Sequence, residues 1–157
     1  MPEPTILYSV TDNIASLTFN RPEVRNAFND RMAAELQAAL KNAERDDAVR
    51  CLVITGTGQG FCAGQDLAAI RDRGEEVSFR DHLTRTYNPI VSKLRSIQKP
   101  VIAAINGAAA GAGWGMALAC DIRYASAAAK FRLAFIGIGL VPDSGTSYFL
   151  PRLVGLG

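Results

Sequence analysis

The sequence predicts an α/β fold, and three of its features support this prediction. Short apolar runs of strand length alternate with longer segments in which apolar residues recur every three or four positions. The composition is 48% hydrophobic and 20% charged, which excludes an intrinsically disordered chain. The length of 157 residues is that of one ordinary domain and is sufficient for a single hydrophobic core.

The first predicted elements are two strands and a helix. Ile6–Thr11 and Ile14–Phe19 alternate apolar and polar residues around a two-residue polar turn, which is typical of a β-hairpin. A helix is predicted from Asn29 or Asp30, either of which can cap it, to about Arg45. Its apolar face consists of Met32, Leu36, Ala39, Leu40 and Ala43.

Two strand–loop–helix units, 51–73 and 101–120, follow one order of elements. Each begins with an uncharged run of strand length, at 51–55 and at 101–105. Because these runs have no polar alternation, we expect both strands to be buried on both faces. A glycine-rich loop and then a helix complete each unit.

The remaining elements have shorter signals. Helical spacing over 83–97 predicts a helix with an early kink at Pro89, and the charged stretch 71–81 before it is expected to be a mobile surface loop. After residue 120 the sequence predicts strands at 121–126 and 131–135, a loop at 141–145 and a helix at Thr146–Val154.

Charge and cysteine content exclude several classes of protein. The net charge is +2, and no basic run or basic helix face indicates a nucleic-acid partner. Of the 32 charged residues, 26 lie in the first 100 positions, so most of the last third is expected to be buried. Three cysteines, odd in number and without the spacing of metal ligands, favour a reducing, cytoplasmic location over a disulfide framework.

The uncharged segment 100–120 has two interpretations. It is long enough to span a bilayer, and the spacing of Gly107, Gly111 and Gly115 is typical of a membrane dimer face. However, alanine and glycine drive insertion only weakly. A buried strand, a tight turn and a buried helix explain the same composition, and we favour this interpretation, with no membrane partner.

Two further motifs are weak. The spacing Gly58-x-Gly60-x-x-Ala63 matches a loose dinucleotide-binding pattern, but it follows a hairpin and a helix rather than the first strand of its unit. His82 is the one histidine of the chain. Because the sequence offers it no partner, we predict a surface residue rather than a base or a metal ligand.

Three positions are candidates for a catalytic role, two through backbone N–H groups and one through a carboxyl group. Backbone N–H groups around Ala63 and Ala112, in the loops that follow the two buried strands, could converge on one oxygen as an oxyanion hole. The same loops are explained equally well as tight turns that need small residues. Asp143 lies among apolar residues, where a carboxyl group tends to have a raised pKa, but it could instead cap the helix that begins near Ser144.

Several motifs, taken together and in order, resemble the enoyl-CoA hydratase/isomerase (crotonase) superfamily. The segment 61–67 is similar to its acyl-CoA loop. Its second signature is similar to 100–107, 111–113 and 120–123, and its N-terminal CoA-binding loop is similar to Arg21-Pro22 followed by Asn26-Ala27. The resemblance runs from about residue 5 to the end of the sequence.

This resemblance implies a spiral of ββα units, assembly into a homotrimer or hexamer, and an acyl-CoA substrate with no metal or redox cofactor. The thioester carbonyl would lie between the N–H groups of Ala63 and Ala112, and Arg25 would lie near the CoA phosphates. The residues implied in CoA binding are Ala63, Gly64, Gln65, Asp66 and Leu67.

The departures from the family pattern indicate an isomerase. Gly115 and Phe135 stand where hydratases carry two catalytic glutamates, which argues against hydration by the usual mechanism. Gly115 either enlarges the pocket for an aromatic group or has no consequence. The run 139–145, which contains Asp143, resembles the ring-1,2-epoxyphenylacetyl-CoA isomerases of phenylacetate degradation. The resemblance thus implies isomerisation with Asp143 as the single acid/base.

Three alternatives stay open beside this hypothesis. An aliphatic enoyl-CoA double-bond isomerase would use the same site, an aryl-CoA dehalogenase would use an aspartate as nucleophile, and a CoA-binding scaffold would have no activity. Because members of the family usually continue considerably further, we expect residues 1–157 to be the N-terminal core of a longer polypeptide without its helical trimerisation part. This expectation predicts exposed apolar surface near the C-terminus.

Overall fold

The computed structural model describes residues 3–71 and 78–156. These residues form a five-stranded sheet, in the order β1-β2-β3-β5-β7, and a three-stranded sheet, in the order β4-β6-β8. The strands are β1 Ile6–Thr11, β2 Ile14–Phe19, β3 Cys51–Gly56, β4 Gly60–Cys62, β5 Val101–Ile105, β6 Ala108–Ala110, β7 Ile122–Ala125 and β8 Phe131–Arg132. The helices are α1 Asp30–Arg45, α2 Leu67–Arg71, α3 Phe79–Arg85, α4 Tyr87–Ser96, α5 Ala112–Ala119 and α6 Thr146–Val154.

The predicted hairpin and first helix are confirmed. β1 and β2 pair antiparallel around Asp12 and Asn13, which both have a left-handed backbone, with φ of 51° and 63°. This geometry suits a two-residue hairpin turn because it matches the twist of the strands. Asn29 caps α1, since its side chain accepts a hydrogen bond of 2.9 Å from Met32 N. The predicted apolar face of the helix is buried.

Each strand–loop–helix unit contains an additional short strand. The units are β3-β4-α2 and β5-β6-α5, and the loops of the prediction hold β4 and β6, which pair parallel with each other. β4 consists of Gly60, Phe61 and Cys62, and β6 consists of three alanines. Neither contains a β-branched residue, so the sequence does not show the pattern by which a strand is recognised. The chain therefore has the ββα repeat that the resemblance implies.

The segment before β5 differs from its prediction in two ways. The break between α3 and α4 lies at Thr86, and Pro89 occupies the first turn of α4, where its missing N–H costs no helical hydrogen bond. Ser78 caps α3 through a hydrogen bond from Asp81 N, so 79–81 are helical and not part of a loop. Of the loop predicted at 71–81, Arg71 ends α2 and Ser78 caps α3, and positions 72–77 lie outside the described residues. The last two positions of the unit predicted at 51–73 are among them.

The last third is buried only in part. β5, β6 and α5 are largely buried, but most residues after 120 are exposed, so the expectation of burial is wrong for them. Of the 18 large apolar side chains exposed in the described ranges, 11 lie at or beyond Ile122. The predicted exposed apolar surface near the C-terminus is thereby confirmed. The predicted strand at 131–135 ends at Arg132.

The uncharged segment 100–120 is accounted for by β5, β6 and the eight-residue α5. In the described ranges, none of the helices combines the length and the apolar character that crossing a bilayer requires.

Asn26 is a fully buried polar residue that joins two loops of the fold. Its Oδ1 accepts a hydrogen bond of 2.8 Å from Arg21 N, and its Nδ2 donates to the carbonyls of Thr57 at 3.0 Å and Gly60 at 2.8 Å. The loop after β2 is thereby fixed to the loop between β3 and β4, which leads into the pocket described below.

Replacement of Asn26 by Asp keeps the shape of the side chain but places a carboxylate oxygen opposite two carbonyl oxygens. Because the group is buried, we expect Asn26→Asp to lower the free energy of unfolding by about 3 kcal/mol. Urea unfolding measures this value, and Asn42→Asp, at an exposed position of α1, is the matched control. Equal stability of the two variants would contradict the assigned role of Asn26.

Candidate active site

A pocket of about 450 Å³ opens beside the loop after β4, the beginning of α5 and the segment that precedes α6. Most of its wall is apolar. The larger apolar and aromatic residues that line it are Leu67, Ile70, Phe79, Leu83, Tyr87, Phe135, Ile138 and Leu140. Of the residues predicted for the site, Ala63, Gly64, Gln65, Leu67, Ala112 and Asp143 line the pocket.

Two predicted residues lie outside this wall. The Asp66 carboxylate forms an ion pair of 2.9 Å with Arg21 and accepts a hydrogen bond of 3.1 Å from Ala69 N. Burial raises the pKa of Asp66, but these hydrogen bonds and the Arg21 charge outweigh it and lower the pKa. Asp66 therefore fixes the start of α2. Arg25 is exposed and does not line the pocket, whereas Arg132, which sequence reasoning missed, does.

The backbone N–H of Ala63 donates to the carbonyl of Arg25 at 3.0 Å. It is therefore not free to bind a substrate oxygen, and the prediction is wrong for this group. Gln65, two residues later, forms a parallel bridge with Phe28, in which Phe28 N and O bond to the two neighbours of Gln65. The N–H of Gln65 consequently points away from Phe28 and donates to no acceptor in the part of the chain that the structure describes.

Gly64 lets this loop approach the beginning of α5. Its φ of 88° is left-handed, and a Cβ atom there would lie 2.9 Å from Ala110 O and 3.5 Å from Ala112 N. Ala112 is the first residue of α5, so its N–H has no partner within the helix. Two backbone donors, from Gln65 and Ala112, thus belong to adjacent segments of the pocket wall.

His82 is buried, and the prediction of a surface residue is wrong. Its Nε2 lies 2.8 Å from Gln65 Oε1, which also accepts a hydrogen bond of 2.5 Å from the Tyr87 hydroxyl. Because an amide oxygen only accepts hydrogen bonds, His82 carries a proton on Nε2. The Gln65 amide donates in turn to Phe28 O at 2.9 Å, so its side chain is held from three directions.

Asp143 is half-buried and lines the pocket. Burial raises its pKa, and the hydrogen bond from Ser144 and the charge of His82 counteract this only in part, so the predicted direction is confirmed. The alternative helix-capping role is not observed. α6 begins after Gly145 without a side-chain cap, and Asp143 contributes its backbone carbonyl, which accepts a hydrogen bond of 2.8 Å from Thr146 N.

Gly115 does not enlarge the pocket, which removes one of its two interpretations. A Cβ atom at this position would lie 2.6 Å from Thr146 Oγ1 and 2.8 Å from Ser144 Cβ, because the loop before α6 already fills that space. Phe135 is buried and lines the pocket. Neither position of the hydratase glutamates therefore offers a carboxylate to a ligand.

Comparison with known proteins supports the family resemblance of the sequence motifs. Residues 9–157 match the family described as enoyl-CoA hydratase/isomerase. The chain belongs to the enoyl-CoA hydratase/isomerase family. Its α/β architecture is the crotonase fold of that family, and solved structures of family members have the same fold.

Individual members of the family differ in their names. The chain is 49% identical over 152 residues to the 1,2-epoxyphenylacetyl-CoA isomerase of Escherichia coli K12, covering 96% of this chain and 58% of that protein. It is 44% identical to a protein of Rhodobacter capsulatus named as an enoyl-CoA hydratase, covering 97% of this chain and 58% of the other. The crystal structure of a protein from Mycobacterium abscessus that is named as an enoyl-CoA hydratase/isomerase has a TM-score of 0.90 at 45% identity, covering 96% of this chain and 59% of that one.

The chain therefore spans somewhat more than half the length of the family members it matches.

Removal of the Tyr87 hydroxyl tests the cluster around Gln65. We expect Tyr87→Phe to lower the free energy of unfolding by about 1 kcal/mol, because Gln65 Oε1 loses one buried donor while the ring packing against Phe28 is kept. Chemical denaturation measures the change. Tyr124→Phe, at a side chain that is 67% exposed, should change it by less than about 0.5 kcal/mol, and a similar loss in both variants would contradict the assignment.

Proposed function

We propose that this protein is an acyl-CoA isomerase that uses Asp143 as its acid/base, with ring-1,2-epoxyphenylacetyl-CoA as the substrate and an oxepin-CoA as the product. The observation that carries the proposal is the position of Asp143, which is the single acidic side chain among the described residues that line the pocket. The identity of 49% to an isomerase of that name supports the choice of substrate.

The backbone donors supply the first requirement of this chemistry. In the proposal, the thioester oxygen accepts hydrogen bonds from the N–H groups of Gln65 and Ala112, which acidifies the neighbouring carbon atom. Removal of a proton from that carbon forms an enolate, whose negative charge is stabilised by the same two donors. The start of α5 adds the partial positive charge of a helix N-terminus.

Asp143 supplies the second requirement. As a carboxylate it removes the proton, and as the resulting carboxylic acid it returns one proton further along the conjugated system. The ring expansion itself opens the C–C bond that the epoxide shares with the six-membered ring, and the electron pair of that bond becomes a C=C bond of the oxepin. The proton removed by Asp143 is returned and no atom is gained or lost, so the reaction needs no water, metal or redox cofactor. A raised pKa suits both steps, since it makes the carboxylate a stronger base near neutral pH.

Isomerisation is favoured over hydration by Gly115 and Phe135, which stand where hydratases carry their two catalytic glutamates. Activation of water in the usual hydratase mechanism requires carboxylates where this chain has Gly115 and Phe135. The first position is filled by the loop before α6, and the second contributes an aromatic ring to the pocket. The apolar wall is suited to an aryl group, which buries more surface than a short aliphatic chain.

The other parts of the proposal concern the whole protein. An acyl-CoA partner, a homotrimeric or hexameric assembly and a cytoplasmic location stay predictions, as does a contact between Arg25 and the CoA phosphates. Arg132 at the pocket is a second candidate for that contact.

Substitution of Asp143 by Asn tests the proposal. Because the amide cannot accept the proton, we expect Asp143→Asn to lower kcat for the epoxyphenylacetyl thioester by about 10³-fold, with little change in substrate binding. Asp47→Asn, at an exposed position of the loop after α1, is the control. Undiminished turnover in Asp143→Asn would overturn the assignment.

The choice of substrate needs a panel of thioesters assayed with the unmodified protein. Faster turnover of aliphatic enoyl-CoA would indicate the aliphatic isomerase, a trapped covalent aryl-enzyme adduct would indicate the dehalogenase, and CoA binding without turnover would indicate a scaffold.

The pH dependence of turnover follows from the direction of the Asp143 pKa. The base is active when ionised, so kcat should fall as the pH is lowered through the pKa of Asp143. Because burial raises that pKa, the fall should occur above pH 4, the ordinary range of an aspartate. A kcat that stays constant down to pH 4 would contradict this expectation.

A further inference from the structure

The segment that carries Asp143 is anchored on α5 at a position without a side chain. Ser144 is 4% exposed and Thr146 is fully buried. Both lie against Gly115, where a Cβ atom would approach Ser144 Cβ to 2.8 Å and Thr146 Oγ1 to 2.6 Å, far inside van der Waals contact. The segment can therefore occupy this place only while position 115 is glycine.

The backbone of this segment forms a hydrogen-bonded turn from Asp143 to Thr146. Ser144 has a left-handed backbone, with φ of 51°, a conformation uncommon for a residue with a side chain. The hydrogen bond of 2.8 Å from Thr146 N to Asp143 O holds the turn in that shape. The direction of the Ser144 side chain is thus determined by the turn.

The Ser144 hydroxyl can donate one hydrogen bond, and it donates it to the Asp143 carboxylate. Its Oγ lies 2.8 Å from Asp143 Oδ1. Among the described residues, Asp143 Oδ2 accepts no hydrogen bond, so this oxygen is available to a ligand. The hydroxyl is buried with its residue, and water has little access to replace it if it is removed.

We infer that Ser144 is a positioning residue, which holds one oxygen of Asp143 so that the other is presented to the substrate, and that Gly115 is the residue that makes this arrangement possible. The inference rests on the proposed function of Asp143. It assigns a reason to the absence of a side chain at position 115: the space of a hydratase glutamate is used to seat the segment of the isomerase aspartate.

Removal of the hydroxyl has a specific effect on the pH profile. A hydrogen bond to the carboxylate stabilises its ionised form, so its loss lets the pKa of Asp143 rise further. We expect Ser144→Ala and Ser144→Gly to shift the acidic limb of kcat upward by about one pH unit. The shift alone should lower turnover below the limb about tenfold. Turnover well above the limb should also fall, but by a smaller factor, because the ionised carboxylate is no longer held in one orientation.

The two variants separate the hydroxyl from the backbone. Both lack the hydrogen bond, but glycine accepts a left-handed φ more readily than alanine does. The pH shift should therefore be the same in both, while Ser144→Gly should be the more stable in thermal unfolding. A uniform loss of kcat without a shift, or a shift in Ser144→Ala alone, would overturn the role of the hydroxyl. Ser96→Ala, exposed at the end of α4, is the control.

A measurement without turnover distinguishes failure of this inference from failure of the proposed function. The pKa of Asp143 can be read from the carboxyl resonance of protein labelled with ¹³C-aspartate, assigned by its loss in Asp143→Asn. An upward shift in both Ser144 variants supports the positioning role even if no thioester is turned over. An unchanged resonance midpoint would refute it, whatever the activity.

The role of Gly115 has its own test. A methyl group at this position displaces Ser144 and Thr146, so we expect Gly115→Ala to lower kcat at least tenfold at a pH well above the acidic limb. Addition of Thr146→Ala removes the shortest contact and should restore part of the loss. Full activity of Gly115→Ala, or no gain in the double variant, would contradict the proposed packing.

Discussion

The parallel pairing of β4 with β6 is the constraint on which the rest of the site depends. Each of these strands is the short second strand of a ββα unit, and each leads into a loop and a helix. Because the strands are parallel, both loops leave the small sheet at the same edge, and their backbone N–H groups belong to one wall of the pocket. The close approach requires glycine at position 64, where a Cβ atom would meet Ala110 O at 2.9 Å. Small residues in this part of the chain are therefore a structural requirement.

A second contact of the same kind places the acid/base. The segment before α6 packs against α5 where Gly115 has no side chain, and it brings Asp143 to a wall that is otherwise mostly apolar. Burial destabilises the carboxylate, and the Ser144 hydroxyl stabilises it through a hydrogen bond to Oδ1. The balance between these effects keeps the group ionisable while raising its basicity. Elsewhere in the wall of the same pocket, the Gln65 amide is fixed by Tyr87 and His82, which rigidifies the loop that carries one of the proposed donors.

The fold could be predicted from the sequence wherever a periodic pattern, a cap or an uncharged run of strand length existed. The hairpin and α1 are recognisable because apolar spacing reports which face of an element is buried. β3 and β5 are recognisable as uncharged runs of strand length, and α5 by the glycine-rich turn that precedes it. β4 and β6 are not recognisable in this way, because each has only three residues and no β-branched one, so their pairing depends on their neighbours more than on their own preference. Some residues of the site can likewise be predicted from the sequence, and others cannot. Asp143 is recognisable as a carboxylate in an apolar segment, but the sequence predicts His82 on the surface because its hydrogen-bond partner, Gln65, lies in another element, 17 residues away.

By itself, the sequence determined the α/β class, the family and the acid/base candidate, since these depend on residue types and their spacing along one chain. Only the tertiary structure decided which N–H groups are free. The N–H of Ala63 is bonded to Arg25 O, whereas that of Gln65 points away from Phe28, the residue with which it forms a bridge. The spacing of residues along the sequence does not contain this distinction. The tertiary structure also decided the meaning of Gly115, because the space beside a glycine can be left open or filled. Here the segment of Asp143 fills it, and that depends on residues about thirty positions away.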